Sequence, residues 1–192
     1  MEFAPLAIDQ AFLVRIERMT DERGFFARTF CAEEFRKAGL PAEAVQSSIS
    51  HNVKRKTVRG LHFQWPPSRE GKLVRCVRGG IFDVLLDLRP RSPTYLRHAT
   101  VELTEANRDA VFVPHGVAHG FQTLSDATEV FYQMTDVYAP ELGQGVRWND
   151  PAFGISWPVA DSIVISERDA SYPDFDRNAY EAELARRGGA GA

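Results

Sequence analysis

The sequence predicts an all-β fold, an antiparallel sandwich or barrel with a few short helices. Three observations predict it. Short apolar runs rich in β-branched and aromatic residues crowd the stretch from 57 to 135. Turn-forming clusters (PPSREG, GG, RPRSP, TEANRD and LSDA) separate them, and such close spacing suits antiparallel pairing. No helix-containing unit repeats along the chain, which argues against a parallel α/β sheet.

The elements follow in order. Residues 11–18, AFLVRIER, alternate apolar and polar as a strand does. TDERG at 20–24 is a turn, and FFARTF at 25–30 resumes the strand pattern. A short helix is expected over 32–38, closed by Gly39 in a left-handed cap and stopped by Pro41. Residues 45–52, VQSSISHN, read as a polar strand or loop, and KRK at 54–56 as a solvated turn. Strands are then predicted at 57–64, 72–78, 80–88, 97–103, 110–113, 119–124 and 127–135. Beyond 136 the chain is irregular and rich in Pro, Trp and Asp, until a last helix at 177–187. No linker divides it, so a single domain over 1–186 is expected, with 187–192 a flexible tail.

The 192 residues suffice for one domain with a sizeable core. A net charge of -3 provides no global field for nucleic acid, so any anion must be held locally. No apolar run approaches the roughly 20 residues of a membrane span, and MEFAPLAIDQAFLV at the N-terminus lacks a signal-peptide pattern. The two cysteines, Cys31 and Cys76, are far apart and suggest no disulfide framework. A soluble, cytoplasmic protein is the expectation.

Chemistry concentrates between Thr57 and Leu88. Arg59, His62, Lys72, Arg75 and Arg78 fall within twenty residues of mostly apolar context. Burying so many cations is expensive without an anion, so a phosphate ligand explains them, with a solvated face as the alternative. Arg59 and His62 have opposite strand parity, although a bulge at Gly60 would turn both inward. In TEVFYQM at 128–134, Tyr132 shares a face with Val130 and Met134, either as a core tyrosine or with its hydroxyl in a cavity. Pro114, Gly116 and His119 resemble the second motif of the cupin superfamily, yet the chain contains no His-x-His for the first. No metal site is therefore expected. Motifs for a nucleophilic serine, a dinucleotide or a phosphate loop are missing as well, which leaves acid–base chemistry with local anion binding.

A set of segments in fixed order carries a resemblance over nearly the whole chain. They are DERGFF (21–26), VRGLHFQ (58–64), GKLVRCVRGGIFDVLLDLR (71–89), SPT (92–94), PHGVAHGF (114–121), TDVYAP (135–140), VRWNDP (146–151) and SERDA (166–170). Together they resemble the dTDP-4-dehydrorhamnose 3,5-epimerase family. The resemblance implies a cupin-like jelly-roll barrel, a homodimer, no cofactor and a nucleotide-diphospho-4-keto-6-deoxy sugar as substrate. It implies His62 as the base, Asp169 as the carboxylate that holds its ring, Tyr132 as the proton donor and Lys72 near the ketone oxygen. Arg23 and Arg59 match diphosphate contacts, and Tyr138 matches the aromatic that stacks on the nucleotide base. Gln46, Ser48, His119 and Arg168 fall among substrate contacts. The chain departs from the pattern at Gln46-Ser47-Ser48, Arg28, Gln133 and Gly143. These departures leave open the base, the sugar and whether C3, C5 or both are inverted. A 3,4-ketoisomerase on the same fold, a non-catalytic sugar-nucleotide-binding cupin and a metal-dependent cupin oxygenase are the alternatives.

Overall fold

The structure is a computed structural model and describes residues 1–188. The chain begins with β1 (Glu2–Pro5), β2 (Phe12–Arg15), β3 (Arg18–Asp21), β4 (Gly24–Ala27) and helix α1 (Ala32–Lys37). Then come β5 (Gln46–Asn52), β6 (Val58–Gln64), β7 (Lys72–Arg78), β8 (Gly80–Asp87) and β9 (His98–Thr104). The last strands are β10 (Ala110–Val113), β11 (Val117–Thr123), β12 (Thr128–Met134) and β13 (Gly143–Gly145), followed by helices α2 (Glu167–Ala170) and α3 (Arg177–Arg186).

Two sheets form the jelly roll. One has six strands in the order β1-β2-β10-β7-β12-β5; the other has five, β13-β6-β11-β8-β9. Among the described residues β3 and β4 pair only with each other. Between the two large sheets lie Val74, Cys76, Val111, Val113 and Val130 from the first, and Ile81, Leu85, Leu103, Val117 and Phe121 from the second. Each such valine, leucine, isoleucine or phenylalanine, fully buried, contributes roughly 1.5–3 kcal/mol relative to exposure.

The outer faces are covered too. Phe35 of α1 packs with Leu73, Ala110 and Phe112, and Tyr180 of α3 packs with Phe63, Val84 and Leu86. As a result β10 and β11 are buried at every position and carry no two-residue polarity pattern.

The predicted strands 72–78 and 110–113 appear with those bounds, and the other strands from 57 onward shift by a few residues. Of residues 45–52, read as a polar strand or loop, 46–52 form a strand, the edge of the six-stranded sheet. The run at 11–18 divides, because β2 stays in the large sheet while β3 leaves it for the β3–β4 hairpin. Gly39 takes φ +74, the left-handed cap expected of it. β1, β13 and α2 were not predicted: the two strands are four and three residues long, and α2 is a single turn. Arg187, expected in the tail, lies over the Trp65 ring and pairs with Glu183; residues 189–192 lie outside the described residues.

Candidate active site

The site is assembled where the two sheets face each other. β6 and β11 pair as His62 with His119 and Arg59 with Phe121, with a register shift between them. Gly60 sits there at φ +116, and a Cβ on it would come within 2.6 Å of the Gly120 Cα. Two glycines thus let the backbones close in and break the alternation. Arg59 and His62 consequently line the same recess, of about 240 Å³, together with His119, Lys72 and Tyr132. The inward turn at Gly60 that the parity required is present.

His62 is held from behind. Its Nε2 lies 2.7 Å from Oδ1 of Asp169, whose Oδ2 accepts the Gly60 N–H at 3.1 Å. Asp169 is fixed in turn by α2, because the Ser166 hydroxyl accepts the Asp169 N–H at 3.1 Å as the helix cap. Burial pushes the Asp169 carboxyl up, but the hydrogen bonds from His62 and Gly60 outweigh it and hold the group below the usual carboxylate range. Nε2 therefore donates to the carboxylate, and Nδ1 keeps the free lone pair of the ring.

Tyr132 comes from β12 on the opposite sheet, on the face it shares with buried Val130 and Met134. Its ring meets that of His119 edge-on, with centroids 6.1 Å apart. Burial pushes its hydroxyl pKa far above the ordinary tyrosine value; Asp83 adds to the shift and Arg59 opposes it. His119 is itself paired through Nε2 to Asp83 Oδ1 at 2.8 Å, and the Asp83 carboxyl is raised by burial. Lys72, at the start of β7, pairs with Glu70 at 3.0 Å. His62, Tyr132 and Lys72 also line a larger cavity of about 660 Å³, with Gln46, Ser48 and Arg168 on its walls. A base, a protonated phenol and an ammonium around one cavity can remove a proton from carbon, carry the charge on oxygen and return a proton.

Residues 5–177 match the profile described as dTDP-4-dehydrorhamnose 3,5-epimerase. The chain belongs to that family. A dTDP-4-dehydrorhamnose 3,5-epimerase from Sinorhizobium fredii is 43% identical over 175 residues, covering 91% of this chain and 90% of its own. Among solved structures, a dTDP-6-deoxy-D-glucose-3,5-epimerase from Legionella pneumophila in complex with dTDP-4-keto-L-rhamnose superposes with a TM-score of 0.87 at 33% identity, over 95% of this chain and 96% of that one. A 3'-monoepimerase from Streptomyces bikiniensis in complex with dTDP-quinovose gives 0.84 at 32%, over 94% and 90%.

In this member of the dTDP-4-dehydrorhamnose 3,5-epimerase family, the segment carrying Tyr138 hangs from two glutamines. Gln46 Oε1 accepts the Tyr138 N–H at 2.7 Å, and Gln64 Oε1 accepts the Ala139 N–H at 2.9 Å. Tyr138 lines the 660 Å³ cavity and leans over Gly143, its hydroxyl 3.0 Å from where a Cβ there would lie. Arg168 donates to the Tyr172 hydroxyl at 3.1 Å and also interacts with Tyr138.

One candidate stands apart. Arg23 lies at the turn of the β3–β4 hairpin, 85% exposed and paired with Asp21, and it does not line the cavity of its own chain. Three site residues escaped the sequence reading: Glu70, Gln64 and Asp83. Asp83 had a signal, a carboxylate in the middle of the apolar run IFDVLLDL, which needs a buried partner. His115 opens onto a different groove from His119, so the two histidines are not a pair.

Proposed function

We propose that the chain is a cofactor-independent epimerase that inverts C3, C5 or both of a nucleotide-diphospho-4-keto-6-deoxyhexose, of the dTDP-4-dehydro-6-deoxyglucose type, in deoxysugar biosynthesis. The observation that carries this reading is the facing pair: His62, backed by Asp169, and Tyr132 on the opposite wall of one cavity. The ligands named for the Legionella and Streptomyces bikiniensis structures support the substrate class.

The C4 ketone acidifies the protons on C3 and C5. His62 Nδ1 removes one from one face of the sugar, and the electron pair moves onto O4 as an enolate. Lys72 stabilises that charge. Tyr132 then delivers its proton to the opposite face, and the centre is inverted. Solvent restores the phenol, and His62 releases its proton. Base and acid each contribute roughly 10²–10⁴-fold, or about 3–5 kcal/mol. Arg59 holds the diphosphate, a role suited to a planar guanidinium, and Tyr138 stacks on the base. Gln46, Ser48, His119 and Arg168 complete the substrate contacts.

The chain acts as a cytoplasmic homodimer. Both cysteines are free, as expected of a reducing compartment, and among the described residues no helix is long and apolar enough to cross a membrane. A two-stranded hairpin alone is marginal in water, yet β3–β4 exposes Met19, Phe25 and Phe26, and Ile49 is exposed on edge strand β5. A second copy covers these groups and carries Arg23 into the neighbouring cavity.

The test is incubation in D₂O with dTDP-4-dehydro-6-deoxyglucose, followed by NMR. Deuterium entering C3 or C5 with inversion is expected. No exchange with this or any related 4-keto sugar nucleotide overturns the reading, and a carbonyl moved to C3 assigns a ketoisomerase instead.

A further inference from the structure

Glu70 stands two residues before Lys72, just outside β7. Its side chain is 5% exposed, and its carboxylate lies 3.0 Å from the ammonium of Lys72, which is 15% exposed. Both groups line the 660 Å³ cavity with His62 and Tyr132. Enclosing a carboxylate is costly, and an enclosed ion pair is seldom more stable than apolar side chains of the same volume. Stability alone therefore gives no reason for an acid at this position.

The loop that carries Glu70 is firmly anchored. Asp136 Oδ2 accepts the Arg69 N–H at 2.9 Å and the Ser68 hydroxyl at 3.3 Å. Gly71 N–H donates to Thr135 Oγ1 at 2.8 Å, and Thr135 N–H donates to Gly71 O at 3.0 Å. The carboxylate therefore projects from a fixed base. Lysine has the opposite character, a long flexible stem that loses rotamer entropy when it is held in place. Lys72 also shares its recess with Arg59 and His62. Once His62 takes a proton from carbon, two other cations face the ammonium, and like charges drive it out of line.

We propose that Glu70 is a positioning residue for Lys72: its carboxylate aims the ammonium at the ketone oxygen and balances the cavity's positive charge while His62 carries the abstracted proton. The inference rests on the epimerase reading of this cavity. Glu70 touches no reacting atom; it acts through Lys72. An ammonium already aimed at the oxygen where charge develops needs no reorganisation at that moment, which is where such groups are most effective.

A double-mutant cycle tests it, with deuterium exchange and turnover of dTDP-4-dehydro-6-deoxyglucose as the rates and thermal melting as the folding control. Glu70→Ala lowers kcat about 10–100-fold, the cost of a misplaced catalytic group, while KM stays within about twofold. Glu70→Gln, which keeps an oxygen acceptor and the shape, recovers part of the loss and decides the matter if the alanine variant does not fold. Lys72→Met is slow, and adding Glu70→Ala to it costs no further rate, because a positioning residue has no function without its partner. An equal loss in both backgrounds, or a Glu70→Gln enzyme as fast as the wild type or faster, overturns the inference while the epimerase reading stands. If Lys72→Met exchanges normally, the role of Lys72 falls and the inference with it. If His62→Ala exchanges normally, the base is misassigned; if the wild-type enzyme exchanges no 4-keto sugar nucleotide, the epimerase reading itself fails.

Discussion

His62 and Tyr132 reach one cavity from opposite walls, the first on β6 of the five-stranded sheet and the second on β12 of the six-stranded sheet. A sugar ring between them presents one face to the imidazole and the other to the phenol, the geometry that inversion needs. The two side chains should therefore be separable by isotope. His62→Ala loses exchange altogether. Tyr132→Phe still lets His62 remove and return a proton on its own face, so deuterium enters without inversion. Its epimerisation rate falls roughly 10²–10⁴-fold. NMR of the recovered sugar nucleotide in D₂O reads both, and undiminished inversion by Tyr132→Phe assigns the acid elsewhere.

Asp169 fixes which nitrogen of His62 is basic. Asp169→Asn keeps the size but offers an amide N–H to Nε2, which favours the wrong tautomer. The expected loss in kcat is about 10⁴-fold, as in the corresponding substitution of a serine-protease triad. The same carboxylate links stability to pH. Its pKa is held below the ordinary 3.8, so its contribution is complete above that value and is lost as pH falls through the depressed one. Melting curves of the wild type and the Asn variant should converge at the acid end of that window. Curves that stay parallel throughout would show that Asp169 makes no such contribution.

The facing of Tyr132 was legible because a strand of alternating burial, Thr128 to Met134, needs only period two to be read. The inward turn of both Arg59 and His62 was legible only as a requirement. Its cause is the approach of Gly60 to Gly120, a fact about the neighbouring strand. Asp169 lies 107 residues from His62, so nothing local announces the pair; only the resemblance named it. Its helix did leave a trace, since Ser166 three residues before Asp169 is a cap signature. Glu70 left none, because a charge beside a turn reads as solvated unless the enclosing walls are known. β10 and β11 could be recognised as strands but not oriented, since packing on both faces erases the alternation.

Gly60→Ala tests the close approach. The added methyl meets backbone, not a movable side chain, at 2.6 Å, and φ +116 is hostile to any L residue. A loss of about 3 kcal/mol or more is expected from strain and overpacking together. Urea unfolding measures it. A variant of wild-type stability would mean that β6 and β11 can separate without cost.

Gly143 sets where Tyr138 rests. A side chain there displaces a phenol whose hydroxyl lies 3.0 Å from the new Cβ, while His62 and Tyr132 sit elsewhere on the cavity wall. Gly143→Glu should raise KM for the sugar nucleotide several-fold, about 1 kcal/mol of binding, and leave kcat nearly unchanged. Steady-state kinetics distinguish the two parameters. A fall in kcat with KM constant would place Tyr138 in the chemical step and not in base binding.

Arg23 decides whether the cavity is completed by a second copy. It sits 85% exposed on the same hairpin as Phe26, itself 68% exposed, and among the described residues that hairpin pairs with no other strand. Phe26→Asp should convert a dimer to a monomer in sedimentation and weaken substrate binding with it. Arg23→Ala should raise KM without dissociating the dimer, because the guanidinium is a phosphate contact and the aromatic face remains. Mixed dimers make the assignment sharper. One subunit carries Arg23→Ala and the other His62→Ala, each nearly inactive alone at low substrate. If Arg23 serves the neighbouring cavity, one site of the mixed dimer has both wild-type residues, and activity returns to about half per dimer in such a one-site count. If Arg23 serves its own cavity, each site lacks one of them and mixing restores nothing.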